Sequence, residues 1–141
     1  MESRIEQAVA LFKEGYNCAQ AVFVTYADLF GMDRETALKL SSSFRGGMGG
    51  MHEVCGTVSA AAMLAGLQNG VIQTTDKEAK KANYALVQLL ADKFKEENGS
   101  IICRQLRFAP EQLPEGKRPK PCVEYVRISA RLIEEYLLNK P

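Results

Sequence analysis

The chain has 141 residues, of which 25% are charged, and a formal net charge of +1. This length suits one domain with a single hydrophobic core. The balanced charge argues against a nucleic-acid binder that works mainly by neutralising phosphates, and an apolar fraction of 46% argues against disorder. One histidine and four cysteines are present, so a site with two imidazole ligands from one chain is excluded.

Apolar residues recur at helical spacing in the first part of the chain. One stripe begins at Ile5, and a second begins at Cys18 and ends before Gly31. Asp33 is a favourable N-cap for a third helix that runs to about Ser42. These patterns predict three helices before the middle of the chain.

A glycine-rich loop at residues 45–50 leads into the central part of the chain. An alanine-rich helix is predicted over residues 53–68, because Asn69-Gly70 is a typical helix stop. Residues 75–78 spell a capping box that opens the longest helix, which ends at Gly99. The glycines of the loop let the chain turn tightly and bring Cys55 close to other backbone.

The last part of the chain predicts a short turn over residues 100–106 and a proline-rich loop over residues 110–121. The final helix is predicted from Cys122 to about Asn139, with apolar residues at heptad-like spacing. Sustained alternation with β-branched enrichment is missing, so no strand is predicted. The sequence therefore predicts an all-α fold, a compact bundle of five or six helices forming one domain over residues 1–141.

Each cysteine falls in or near the first turn of a predicted helix, and the four are Cys18, Cys55, Cys103 and Cys122. The first N–H groups of a helix lack partners and carry partial positive charge, which stabilises a thiolate and lowers the thiol pKa. Thiolates are both redox nucleophiles and metal ligands. If the four helix starts converge, they form one site.

Three functions remain open for these cysteines. The first is thiol–disulfide chemistry, in which Cys55 attacks because the glycine loop leaves it accessible and Cys18 is its partner. The second is a metal site, in which all four thiolates hold zinc or an iron–sulfur cluster for electron transfer. The third is a helical interaction protein whose cysteines are inert core residues. No pair forms C-x-x-C, which counts against zinc knuckles and thioredoxin-type motifs.

For several other polar residues, the sequence allows either a role beside the cysteines or an ordinary structural position. His52 lies three residues before Cys55, so it is either a base or ligand on the same helix face or an inert loop residue. Arg45 and Arg104 either lower nearby thiol pKa values or lie in solvent. Glu134 is expected to be ordinary surface charge.

The beginning of the chain shows no charged-then-apolar leader, and the apolar run at residues 54–67 is too short to cross a bilayer. We therefore expect a cytoplasmic protein without membrane insertion. Its expected partner is a redox protein and not nucleic acid. The alanine-rich and last helices pack either within the monomer or against a second copy, giving a homodimer.

The order of the cysteine-bearing segments resembles a known family. Those segments are residues 16–22, residues 54–60, residues 99–104 and Cys122 with Tyr125-Val126. The pattern is similar to that of the redox-active proteins named for C…GCAxxG…C…C, whose four cysteines match the four of this chain. The family's central motif runs Cys-Gly-Ala-x-x-Gly, and Cys55 and Gly56 agree with it. Two later positions differ, with Thr57 in place of alanine and Ala60 in place of glycine. The resemblance implies a thiol-based redox role.

Overall fold

The computed structural model describes residues 2–139. This part of the chain contains seven α-helices: α1 (Ile5–Glu14), α2 (Cys18–Ala27), α3 (Arg34–Ser42), α4 (Gly56–Asn69), α5 (Lys77–Asn98), α6 (Cys103–Arg107) and α7 (Cys122–Leu132). No strand occurs in it, and Val54 and Ile102 form one isolated antiparallel bridge. The all-α prediction is confirmed, whereas the predicted number of five or six helices is wrong. The additional helix is α6, which the sequence predicts only as a short turn.

The starts of α2 and α3 agree with the sequence because both depend on local caps. The Asn17 side chain accepts from the Gln20 N–H at 2.9 Å, and the Gln20 side chain accepts from the Asn17 N–H at 3.1 Å. Asp33 accepts from the Thr36 N–H at 2.9 Å. Each cap satisfies a backbone donor that the helix itself cannot pair, so each helix begins where its cap lies.

Three predicted boundaries shift for identifiable reasons. Helix α4 begins at Gly56 instead of residue 53, because the backbone just before it pairs with the segment around Ile102. Helix α5 is capped by Asp76, whose side chain accepts from the Ala79 N–H at 3.0 Å, so the predicted capping box one residue earlier does not form. The last helix ends at Leu132 and continues as a π-helical turn over Ile133–Leu137.

Helix α2 is the centre of the core, since it packs against α1, α3, α4 and α7. Its Phe23 and Tyr26 are fully buried. Burying a side chain of this size contributes about 1.5–3 kcal/mol before cavity effects are counted. Because α2 begins at Cys18, its packing also fixes the position of that sulfur relative to the starts of α4 and α7.

Glu134 is buried in the core and only 5% exposed, so the expectation of surface charge is wrong. Its carboxylate accepts from the Tyr26 hydroxyl at 2.6 Å and from the Arg4 N–H at 2.7 Å. Burial of a carboxylate is tolerated where hydrogen bonds replace its hydration. This pairing connects the start of α1 to the end of the chain across α2.

Within residues 2–139, no helix has both the length and the apolar character that crossing a membrane requires.

Candidate functional site

The four cysteines line one cavity of about 150 Å³. Cys18, Cys103 and Cys122 are the first residues of α2, α6 and α7, and Cys55 is the residue immediately before α4. Placement at helix starts is therefore confirmed for all four. The structure also shows that the helix starts converge. Among residues 2–139 there is no disulfide, and all four cysteines are free thiols.

The glycine-rich loop forms one wall of the cavity through Gly46 and Gly47. Their carbonyl oxygens accept from the N–H groups of His52 and Glu53, both at 2.9 Å, which folds the loop back on itself. Gly47 has φ of +75°, and a Cβ at that position would lie 2.5 Å from the Glu53 nitrogen. Only glycine fits this conformation and this close approach. The glycines therefore serve a tight turn beside the cysteines, as the sequence predicts.

A pair of backbone hydrogen bonds holds two of the cysteines in register. The Cys55 N–H donates to the Ile101 carbonyl at 2.7 Å, and the Cys103 N–H donates to the Glu53 carbonyl at 2.6 Å. These bonds surround the Val54–Ile102 bridge. They attach the segment before α4 to the segment before α6, so the sulfurs of Cys55 and Cys103 are positioned by one shared structure.

Residues 16–136 match the family model described as "Putative redox-active protein (C_GCAxxG_C_C)". The chain belongs to this family. All four cavity cysteines lie in the matched region, so the family's cysteine pattern corresponds here to one spatial cluster. No match is found among curated proteins or among solved structures.

The two departures from the family motif have clear places in the structure. The Thr57 hydroxyl lies 3.2 Å from the Cys55 sulfur, within hydrogen-bond distance, and this residue also lines the cavity. Ala60 is fully buried in the core. A methyl group fits at position 60, so glycine is not needed there for the packing of α4. Thr57 adds a polar partner for a buried thiol.

Cys55 is only 7% exposed, which contradicts the expectation that the glycine loop leaves it accessible. Burial raises the pKa of its thiol to about 12, and the nearby Cys18 acts in the same direction, while the hydrogen bond with Thr57 opposes them. The expected lowering of this pKa is therefore wrong. The partial charge of a helix start stabilises an anion by about 1 kcal/mol, whereas full burial shifts a pKa by several units.

The other thiols differ in exposure. Burial raises the pKa of Cys18, and Cys122 adds to the increase. Burial also raises the pKa of Cys103, which is 4% exposed, although the Arg107 guanidinium opposes this by a hydrogen bond and by its charge. Cys18 and Cys122 are partly exposed. Cys55 and Cys103 are buried, so Cys18 and Cys122 are the two more exposed cysteines of the cavity.

Arg107 is a functional candidate that the sequence does not predict. It lies four residues after Cys103 on α6, a spacing that places both on one helix face, and it lines the cavity together with Arg45. The i, i+4 spacing of Cys103 and Arg107 could have indicated this pair. The spacing has that meaning only if residues 103–107 are helical, and the sequence predicts a turn there. Arg104 does not line the cavity and instead donates to the Met51 carbonyl at 3.1 Å.

His52 is neither on a helix with Cys55 nor in the cavity lining. It lies in the loop with φ of +62°, and its ring packs on Phe108 with centroids 4.8 Å apart. The shared helix face expected from the spacing does not exist, because α4 begins only at Gly56. The structure therefore gives His52 a packing contact rather than a place beside a thiol.

Residues 2–139 contain no group of three or more His, Cys, Asp or Glu side chains arranged to hold a metal ion. Metal ligation by cysteine also requires deprotonated thiols. A zinc ion or an iron–sulfur cluster held by the four cysteines stays a prediction; its ligands would be Cys18, Cys55, Cys103 and Cys122.

Proposed function

We propose that the protein carries out thiol–disulfide exchange at the four-cysteine cavity. The observation that supports this is the convergence of four free thiols from four helix starts on one cavity. Membership of a family described as redox-active agrees with it. Sulfurs on one cavity are the arrangement that lets one thiol attack a disulfide and another resolve the product.

Cys122 is the attacking thiol in this proposal, and Cys18 is the resolving thiol. Both are partly exposed, whereas Cys55 and Cys103 are buried. Cys18 is close to two other sulfurs, since Cys122 raises the pKa of Cys18 and Cys18 in turn raises that of Cys55. A resolving thiol needs such a position beside the attacking sulfur. The earlier assignment of attack to Cys55 depended on an accessibility that this residue does not have.

The reaction has two steps. The Cys122 thiolate attacks one sulfur of a substrate disulfide, forms a mixed disulfide and releases the first substrate thiolate. The Cys18 thiolate then attacks the Cys122 sulfur, forms the Cys18–Cys122 disulfide and releases the second substrate thiolate. Two electrons pass from the two protein thiols to the substrate, and the two protons they lose protonate the released thiolates. The reverse sequence returns the protein to its reduced form.

The test begins with anaerobic purification, metal analysis and a thiol count on one sample. Diamide, which oxidises neighbouring dithiols, is then added, and peptide mapping identifies the disulfides formed. We expect two or four thiols to be protected, with Cys18 joined to Cys122, and to return after dithiothreitol treatment. Cys122→Ser removes that disulfide.

Two results contradict the proposal. Stoichiometric iron or zinc with all four thiols blocked supports the metal site instead. Four thiols that stay titratable after diamide, and that react with alkylating reagents only on unfolding, support inert core cysteines.

The remaining expectations are also proposals. A reducing compartment such as the cytoplasm suits the chemistry, because the reduced thiols are the attacking form. A homodimer through α4 or α7 stays a prediction, and both helices already pack within the protomer.

A further inference from the structure

The cavity wall carries positive charge that no carboxylate neutralises. Arg45 and Arg107 both line it, and no Asp or Glu is found among its lining residues in the described part of the chain. Within residues 2–139, neither arginine is in an ion pair, whereas Arg4, Arg127 and Arg131 each pair with an acidic side chain. Unneutralised guanidinium groups beside a recess attract anions, and their planar donors suit a carboxylate.

Arg107 is also held in place at this wall. Its guanidinium lies over the Phe108 ring, 4.8 Å from the ring centroid, and its charge opposes the rise in the pKa of the Cys103 thiol. A side chain stacked on a ring loses less entropy when it binds a further group. The charge at the cavity is therefore preorganised next to the thiols.

The size of the cavity limits what enters. A dry cavity of about 150 Å³ accommodates a molecule of benzene size, with about six non-hydrogen atoms, and the volume here is about 150 Å³. One half of a small aliphatic disulfide that ends in a carboxylate has this number of atoms.

We propose that the substrate is a low-molecular-weight disulfide that carries a carboxylate a few bonds from its sulfur. Arg45 and Arg107 bind the carboxylate while the sulfur faces the cysteines. This inference depends on the proposed thiol–disulfide function and assigns its substrate class. It replaces the protein partner expected from the sequence with a small anion.

Three disulfides of similar length test the inference: 3,3′-dithiodipropionate is anionic, bis(2-hydroxyethyl) disulfide is neutral and cystamine is cationic. The rate of mixed-disulfide formation with the reduced protein is measured by mass spectrometry and divided by the rate with 2-mercaptoethanol, which removes intrinsic differences between the reagents. We expect the anionic disulfide to react about tenfold faster than the cationic one, since charge of this kind raises encounter rates by 10-fold or more. Added salt reduces the preference.

The double substitution Arg45→Gln and Arg107→Gln should remove the preference. Both side chains are exposed enough that their loss leaves the fold intact. Any change that the double variant makes in thiol reactivity acts on all three rates alike, so the ratio of the three rates, and not each rate, is the readout. Arg118→Gln is the control, because it removes one positive charge from an exposed site outside the cavity lining. It should keep the preference.

The inference is overturned if the three normalised rates are equal, or if the double variant keeps the preference. No reaction with any of the three disulfides, together with reversible disulfide formation by diamide, overturns the inference but leaves the proposed function in place. Absence of both reactions contradicts the proposed function itself.

Discussion

The sulfur of Cys18 lies directly against the backbone of Gly56. A Cβ atom at position 56 would be 2.8 Å from this sulfur and 2.8 Å from the carbonyl oxygen of Phe44, closer than such atoms approach in proteins. The absence of a side chain at Gly56 therefore leaves the space that the Cys18 sulfur occupies. This contact joins the starts of α2 and α4.

Gly56→Ala should destabilise the protein by about 1–3 kcal/mol, the usual cost of overpacking a site that has no free volume. Backbone of Phe44 forms part of the contact, so the clash is not relieved by rotation of the Cys18 side chain alone. Urea unfolding measures the loss, and alkylation of Cys18 in the native state should become faster as the cavity opens.

Gly66→Ala on the same helix is the matched control for Gly56→Ala. A Cβ at position 66 meets nothing within 4 Å. Alanine in a helix interior is favoured over glycine by about 0.5–1 kcal/mol, so this variant should be slightly more stable than the native chain. Equal destabilisation by both substitutions would show that the packing of Cys18 against Gly56 is not the cause.

Iodoacetamide labelling of the native protein should modify Cys122 and Cys18 well before Cys55. Alkylation requires access and a thiolate, and Cys55 is 7% exposed with a pKa of about 12. Peptide mapping after short exposures gives the order of modification. In urea the four rates should become similar, and early labelling of Cys55 in the folded protein would contradict the assignment of attack to Cys122.

Stability should decrease at alkaline pH. The Cys55 thiol has an ordinary pKa of 9.0, which applies to the unfolded chain, and a pKa of about 12 in the folded protein. The folded state holds the thiol proton more tightly than the unfolded chain does. The contribution of the protonated Cys55 thiol to the free energy of unfolding is therefore complete below about pH 9 and is lost as the pH rises toward 12. This one thiol should lower the free energy of unfolding by about 2 kcal/mol at about pH 10.5.

Cys55→Ala identifies this contribution in urea unfolding at several pH values. The pKa values of Cys18, Cys103 and Tyr26 are raised in the same direction, so the variant should keep part of the alkaline loss. Above about pH 9 the free energy of unfolding of this variant should nevertheless fall less steeply with pH. The two slopes should differ by up to the value that corresponds to one bound proton. An unchanged slope would mean that the buried thiol does not titrate in this way.

Tyr26→Phe should destabilise the fold by about 1–3 kcal/mol, because it leaves the buried Glu134 carboxylate without a hydroxyl donor. The Tyr26–Glu134 distance is 2.6 Å, and both residues are buried. Tyr84→Phe removes a hydroxyl from an exposed tyrosine and serves as the control. Thermal unfolding of the two variants should show a clear decrease for Tyr26→Phe alone.

Local signals in the sequence predict much of the fold. Asn17 and Asp33 start helices where expected, since a cap depends on residues three positions apart. The same capping by Asn17 places Cys18 at the first position of α2. The helices that begin at or just after Cys55, Cys103 and Cys122 have no side-chain cap, so a local cap does not account for their starts.

Long-range packing accounts for what the sequence did not predict. Cys55 is buried in a cluster with Phe94, Leu106 and Tyr125, and its backbone pairs with Ile101, all of them far along the chain. Glu134 is buried against Tyr26 and Arg4, which are 108 and 130 residues away in sequence. A pattern of residue types indicates a helix face but not which neighbouring element covers that face. For this reason the sequence alone predicts exposed side chains for Cys55 and Glu134.

The convergence of four separate helix starts also determines when the site forms. Cys18 belongs to the second helix and Cys122 begins the seventh, so no short segment of the chain contains the site. During synthesis the first cysteine is made long before the last, and it has no cavity around it until α7 packs against α2. The nascent chain therefore passes through a stage in which its thiols are separate and unprotected, and completion of the fold is what brings them together as one reactive group.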